Sequence, residues 1–238
     1  MSGIKKYISG KKNYVKRVCH SVKLDMERSR KANKKKSHGG GLVIFLLIVV
    51  GLAIVYTTAE RAGDNKGGYD AAVNNYSREI KILSKQFNLD YKYLMALIML
   101  ESSGRKDITP RFEPHVYDRL KAVQKNEHSD LESITYEDIA GADDNALRNL
   151  ASSWGPFQLM GYKCIHLNIK IKDLRGSNAL YWGVSWIDKT YGDYVRKGRY
   201  ADAFHIHNTG RPLPKDGRYL TYDKNYVPNG LKYMKEFE

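Results

Sequence analysis

Between Tyr91 and Gly104 the chain reads YKYLMALIMLESSG, and no face of that stretch is polar. Leu94, Leu97, Ile98 and Leu100 predict a short helix buried on all sides, with Asp90 as its N-cap and Gly104 as its stop. Upstream, Ala72, Tyr76, Ile80, Leu83 and Phe87 recur every three or four residues and predict an amphipathic helix over 69–88. Downstream, Val116, Leu120 and Val123 place a helix over 112–125, with Pro114 in its first turn. Residues 126–144 are polar and acidic and read as a long loop holding a short helix at 136–140. Residues 145–152 look helical, and 154–161 are apolar and bounded by glycines. Leu180, Val184, Ile187 and Tyr191 carry a helical pattern through 174–194, and a shorter one covers 200–206. Residues 211–228 read as a loop and 229–237 as a closing helix. Strand-like alternation is confined to 164–171, so the expected class is mainly α. No internal repeat is visible.

A second apolar stretch differs in kind. Leu42–Tyr56 is unbroken, and residues 40–59 hold no charge, which is enough helix to span a hydrocarbon layer of about 30 Å. The expected organisation is a basic tail over 1–39 and a transmembrane helix over 40–59. A linker with the start of the first helix follows over 60–75, and then a folded domain over 76–238. A cleaved signal peptide is the competing reading, and the nearly 40-residue basic region before the apolar run is too long for one.

Charge sharpens this division. The net charge is +14, and 13 of the 40 Lys/Arg fall within residues 1–38, opposed there only by Asp25 and Glu27. The tail therefore carries +11 and the remainder +3, so the basic character does not mark the folded part as a nucleic-acid binder. A basic flank before the apolar run places the N-terminus in the cytoplasm and the folded domain outside the inner membrane. Cys19 and Cys164 would then face opposite sides of that membrane, so no bridge between them is expected, and Cys164 reads as a small buried hydrophobe.

Glu101 closes the apolar helix. A carboxylate there is partly desolvated, which raises its pKa and keeps the proton that a general acid needs for glycosidic cleavage. The alternative is a surface glutamate at a helix end.

Four segments extend the case: ESSG at 101–104, FEPHVYDRL at 112–120, SSWGPFQLMG at 152–161 and AFHIHNTG at 203–210. In that order the first, third and fourth resemble the Glu-Ser, Gly-Leu-Met-Gln and Ala-Tyr-Asn motifs of goose-type lysozymes and soluble lytic transglycosylases. FEPHVYDRL together with SWGPFQLMGY is similar to the N-acetylmuramidase family of phage and bacterial endolysins. The resemblance covers about residues 76–235. It implies a lysozyme-like helical domain cutting the β-1,4 bond between N-acetylmuramic acid and N-acetylglucosamine in peptidoglycan. Glu101 and Glu113 are the implied catalytic carboxylates. Ser102, Trp154, Gly155, Gln158, Met160, His207 and Asn208 are the implied substrate-binding residues. No cofactor and no metal are implied, and the spacing of His115, His205 and His207 matches no zinc signature.

Each residue keeps a structural alternative. Glu113 precedes Pro114 at a helix start, where a carboxylate also stabilises the N-terminus. Gln158 can bond a sugar or cap its own turn, and Trp154 can stack on a sugar or sit in the core. Gly155 and Gly161 allow close backbone approach. Two departures stand out. Pro156 occupies a usual Leu position, and His207 replaces the Tyr whose hydroxyl contacts the catalytic carboxyl in the transglycosylases. The expected function is a membrane-anchored muramidase. The alternatives are a lytic transglycosylase, a non-catalytic glycan-binding scaffold of an envelope-spanning machine, and a nucleic-acid binder acting through its tail.

Overall fold

The computed structural model describes residues 66–237. The tail, the expected membrane helix and Cys19 lie outside the described residues. Within those residues no helix is long and apolar enough to cross a membrane.

The chain is mainly helical, and one helix organises it. Helix α2 (Tyr91–Ser102) starts where the Asp90 carboxylate accepts from Lys92 N at 2.7 Å and ends where Ser103 turns left-handed (φ 52°). Tyr93 through Met99 are each at most 9% exposed. Burial of each such side chain contributes about 1.5–3 kcal/mol, so an all-apolar sequence becomes a central element rather than a surface one. Helix α1 (Tyr69–Phe87) packs its Ala72–Tyr76–Ile80–Leu83 stripe against α2. The closing helix α9 (Tyr226–Glu236) packs on α2 as well. Helices α7 (Ala179–Arg196) and α8 (Tyr200–Thr209) pack on each other, α7 against α1 and α8 against α9.

A smaller layer holds α3 (Pro114–Gln124), α4 (Tyr136–Ile139), α5 (Asp144–Leu150) and a three-stranded antiparallel sheet. Its strands are β1 (Arg111–Phe112), β2 (Ser152–Trp154) and β3 (Leu159–Met160). Arg111 pairs with Ser153, and Ser153 in turn with Met160. A four-residue turn joins β2 to β3. Gly161 follows directly, and a Cβ there would overlap the Asn149 carbonyl oxygen at the end of α5. The expected close approach at this glycine is therefore real.

Several boundaries differ from expectation. Phe112 and Ser152 lie in strands, not helices, because they pair with each other across the sheet. Residues 164–171 form no strand: Lys163–His166 is the one-turn helix α6, and Ile171–Leu174 is a 3-10 turn. The 174–194 pattern begins as helix only at Ala179. The last helix starts at Tyr226, three residues before the expected 229, since Pro228 falls in its first turn where an N–H has no intrahelical partner. Cys164 is buried as expected, and burial pushes its thiol up to about 11.

Candidate functional site

Glu101 sits in the last turn of α2 with its side chain 16% exposed. The loop after it is pinned by Gly104, left-handed at φ 71° and pressed so closely on α1 that a Cβ would lie 2.5 Å from Ala72 N. Tyr76 adds a hydroxyl bond to Arg105 O at 2.5 Å.

Two helices aim polar groups at this carboxylate, and a third holds one of those groups in place. From α9, the Tyr226 hydroxyl donates to Glu101 Oε1. From α8, His207 Nε2 lies 3.6 Å from the same oxygen. Helix α7 bends at Tyr191 (φ −143°, ψ 17°), whose hydroxyl lies 2.5 Å from His207 Nδ1. The imidazole tautomer follows from its partners. The Phe157 carbonyl, 3.0 Å from Nε2, can only accept, so Nε2 carries the hydrogen and Nδ1 accepts from Tyr191. Burial pushes His207 down to about 4, so the ring is neutral and forms no ion pair with Glu101.

Glu101 moves the other way. Burial raises it to about 7, against smaller lowering by the Tyr226 bond and by the charge of Arg111. With Tyr226 donating to Oε1, Oε2 is the oxygen left to hold a proton. The arrangement is a carboxylic acid able to give up one proton near neutral pH, beside an imidazole fixed as neutral. Tyr93 and Tyr191 are buried and Tyr226 half-buried, and the hydroxyls of all three are pushed up chiefly by desolvation, with the Glu101 charge adding to each.

Glu113, the N-cap of α3, accepts from Arg111 Nε at 2.6 Å, and His115 Nδ1 lies 3.8 Å from its other oxygen. Among the described residues no hydrogen bond or ion pair joins Glu113 to Glu101. Their link is Arg111, which pairs with the first and whose charge reaches the second.

Next to His207 opens a groove of about 600 Å³. Gln158, Met160, His207 and Asn208 all line it. Asn208 is exposed, and its amide makes no hydrogen bond within the described residues. Gln158 caps its own turn: Nε2 donates to Gly155 O at 3.0 Å and Oε1 accepts from Ser153 Oγ at 2.7 Å. One of its amide hydrogens still remains for a ligand.

Three expected residues lie elsewhere. Ser102 is buried, and its hydroxyl donates to Ile98 O at 2.9 Å in its own helix. Trp154 is 9% exposed, donates to Asn149 O at 2.9 Å, and has the Arg175 guanidinium 4.9 Å from its ring centre. Trp154 and Gly155 line a second cavity instead. His205, fully buried, donates from Nδ1 to Arg211 O and accepts Leu220 N on Nε2, which ties down the 211–220 segment.

Sequence reasoning missed Tyr226, Tyr191 and Glu132. Glu132 lines the groove and accepts from the Tyr162 hydroxyl at 2.7 Å and from Lys163. Its left-handed backbone (φ 48°), followed by Ser133 at φ 66°, has no glycine to announce it. No family model, curated protein or solved structure matches this chain.

Proposed function

We propose that the chain is a peptidoglycan-degrading muramidase that cleaves the β-1,4 bond between N-acetylmuramic acid and N-acetylglucosamine, with Glu101 as general acid. The observation that carries this reading is a largely buried carboxyl, raised to about 7, whose neighbour His207, 3.6 Å away, lines a groove together with Gln158 and Asn208. Protonated Glu101 gives its proton to the leaving glycosidic oxygen, while the oxygen bound by Tyr226 is held in place. A hydroxyl expected at position 207 from the resemblance is instead supplied to Glu101 by Tyr226, which supports a lysozyme-like domain despite the altered motif. Glu113, kept in a polar setting beside Arg111, is the candidate to activate water.

A second reading is a lytic transglycosylase, in which the muramyl 6-hydroxyl replaces water and one carboxylate suffices. Its specific support is that, among the described residues, Glu101 is the one carboxylate in contact with Tyr226 and His207. Residues 40–59 would anchor the enzyme in the inner membrane with its tail cytoplasmic and its domain facing the cell wall, in contact with glycan strands and needing no cofactor. Product analysis on purified sacculi tests the reading. Reducing-end muropeptides mark a hydrolase, and 1,6-anhydro products, lighter by one water, mark a transglycosylase. No soluble product at all would leave the two non-enzymatic readings, the glycan-binding scaffold and the nucleic-acid binder acting through its tail.

A further inference from the structure

His207 Nε2 carries one hydrogen and has two oxygens near it, Phe157 O at 3.0 Å and Glu101 Oε1 at 3.6 Å. While Glu101 keeps its proton, Oε1 is a carbonyl-like acceptor already bonded by Tyr226, and the imidazole N–H stays on Phe157 O. Once the proton leaves, Oε1 belongs to a carboxylate, and a hydrogen bond to a charged acceptor is roughly twice as strong as a neutral one. An approach of about 0.7 Å brings Nε2 to hydrogen-bond distance of it. Tyr191 governs whether the ring can do this. It stands at the bend of α7, is buried, and its hydroxyl lies 2.5 Å from Nδ1. Donation into Nδ1 holds the ring in place, and it polarises the ring so that Nε2–H is a better donor. Behind Tyr191 stands the fully buried Tyr93, whose hydroxyl makes no hydrogen bond among the described residues, yet the two hydroxyls act on one another. Two more charged groups reach this cluster. Arg111 from β1 favours the Glu101 carboxylate, and Lys163 from α6 opposes an imidazolium.

Resting on the muramidase reading, we propose that Tyr191 is a positioning residue of the reaction: it holds His207 so that Nε2–H moves from Phe157 O to Glu101 Oε1 as the acid loses its proton. A bond formed only as charge appears on Glu101 lowers the barrier without stabilising the ground state. The hydrogen stays on nitrogen throughout, so His207 is a donor and not a second acid.

Imidazole NMR of the histidine-labelled full-length chain, with His207→Gln to assign the signals, tests this without substrate. In the wild type the Nε2–H proton should move downfield as pH rises through the Glu101 ionisation at about 7, and in Glu101→Gln it should not move there. Tyr191→Phe should raise the Glu101 midpoint by about half a unit. It should also lower muropeptide release by about three- to tenfold at a KM within about twofold, as expected for one neutral hydrogen bond used in the transition state. His207→Phe should do both more strongly, and His207→Gln, which keeps an N–H donor, should recover part of the loss. If thermal melts show that Tyr191→Phe does not fold, the wild-type titration against Glu101→Gln decides. The proposal is overturned if the Nε2–H signal ignores the Glu101 ionisation, if the hydrogen resides on Nδ1, or if folded Tyr191→Phe keeps the wild-type midpoint and rate. Coupled titration in a protein that releases no muropeptides would sink the muramidase reading and leave the coupling of Tyr191, His207 and Glu101 standing. Muropeptide release without the coupling would do the reverse.

Discussion

Glu101 and Glu113 are the same chemical group, almost equally shielded at 16% and 18% exposure, among different partners. Glu101 ends a helix whose every side is buried, and its neighbours are tyrosine hydroxyls and a neutral imidazole. Glu113 caps a helix beside a short sheet, and its neighbours are a guanidinium and an exposed histidine. The first setting favours the acid, since burial penalises charge more than one hydroxyl can offset. The second places the Arg111 guanidinium 2.6 Å from one carboxyl oxygen and the His115 imidazole 3.8 Å from the other. Acid–base cleavage of a glycoside needs a carboxyl that keeps its proton, and the Glu101 setting is the one that favours it. On the proposed reading, the helical layer builds the acid and the smaller layer holds the second carboxylate.

The comparison breaks most visibly at its two ends. Glu101→Gln should lower muropeptide release by roughly 10² to 10⁴, because it keeps the shape and removes the proton. Glu113→Gln should cost a similar factor if it activates water, with reducing-end products from whatever activity remains. If Glu113→Gln keeps most of its rate and yields 1,6-anhydro products, the contrast holds structurally but only one carboxylate is catalytic. Equal rates for wild type and Glu101→Gln would refute the enzymatic reading.

Stability against pH tests the same burial without any substrate. Glu101 is raised from 4.5 to about 7 on folding. Its contribution is complete below pH 4.5 and is lost as pH rises through 7, by about 3 kcal/mol in all. His207 is lowered from 6.5 to about 4, so its contribution is complete above pH 6.5 and is lost as pH falls through 4. Between pH 4.5 and 6.5 the two slopes oppose each other, and denaturant midpoints should stay nearly level. Glu101→Gln removes one slope. Its midpoint should then rise from pH 4 to 6.5 and exceed that of the wild type at pH 8. A variant that tracks the wild type at every pH would show that Glu101 is solvated.

How much of this was legible depends on the length of each signal. Helix α2 and its carboxylate stood out because twelve residues without a polar face have one place to go. The strands did not, since two or three residues cannot display a period of two, and they form only because Arg111 and Phe112 meet Ser153 and Ser152 across the fold. Tyr226 was hidden by Pro228, at which the expected loop over 211–228 ended, although the proline sits harmlessly in a first turn. Trp154 was ambiguous for a different reason. Sequence marks 154–161 as apolar and bounded by glycines but not as part of a hairpin, and only the folded chain separates Trp154 from Gln158.

Tyr226→Phe sharpens the comparison at a single hydrogen bond. The hydroxyl lowers Glu101, so its loss should push the carboxyl further up. Activity that needs protonated Glu101 falls as pH rises through its pKa, so the alkaline limb of the rate profile should move upward by about one unit, in line with one hydrogen bond to a charged group. Wild type and variant profiles that superimpose would mean that Tyr226 does not act on the acid.

The smallest effect belongs to Ser102, which adjoins Glu101 in sequence and faces away from it in space. Its hydroxyl donates to Ile98 O one turn back, and its side chain lines neither cavity. A buried serine bonded in this way competes weakly with the helix's own hydrogen bonds, and alanine is the better helix former. Ser102→Ala should therefore change stability by no more than about 0.5 kcal/mol, because the lost bond and the gained propensity oppose each other. Its KM and kcat should stay within about twofold of wild type, since nothing that touches Glu101 or the groove has moved. A tenfold rise in KM at unchanged stability would place the hydroxyl on substrate, and the boundary between the buried helix and the groove would have to be redrawn one residue further along α2.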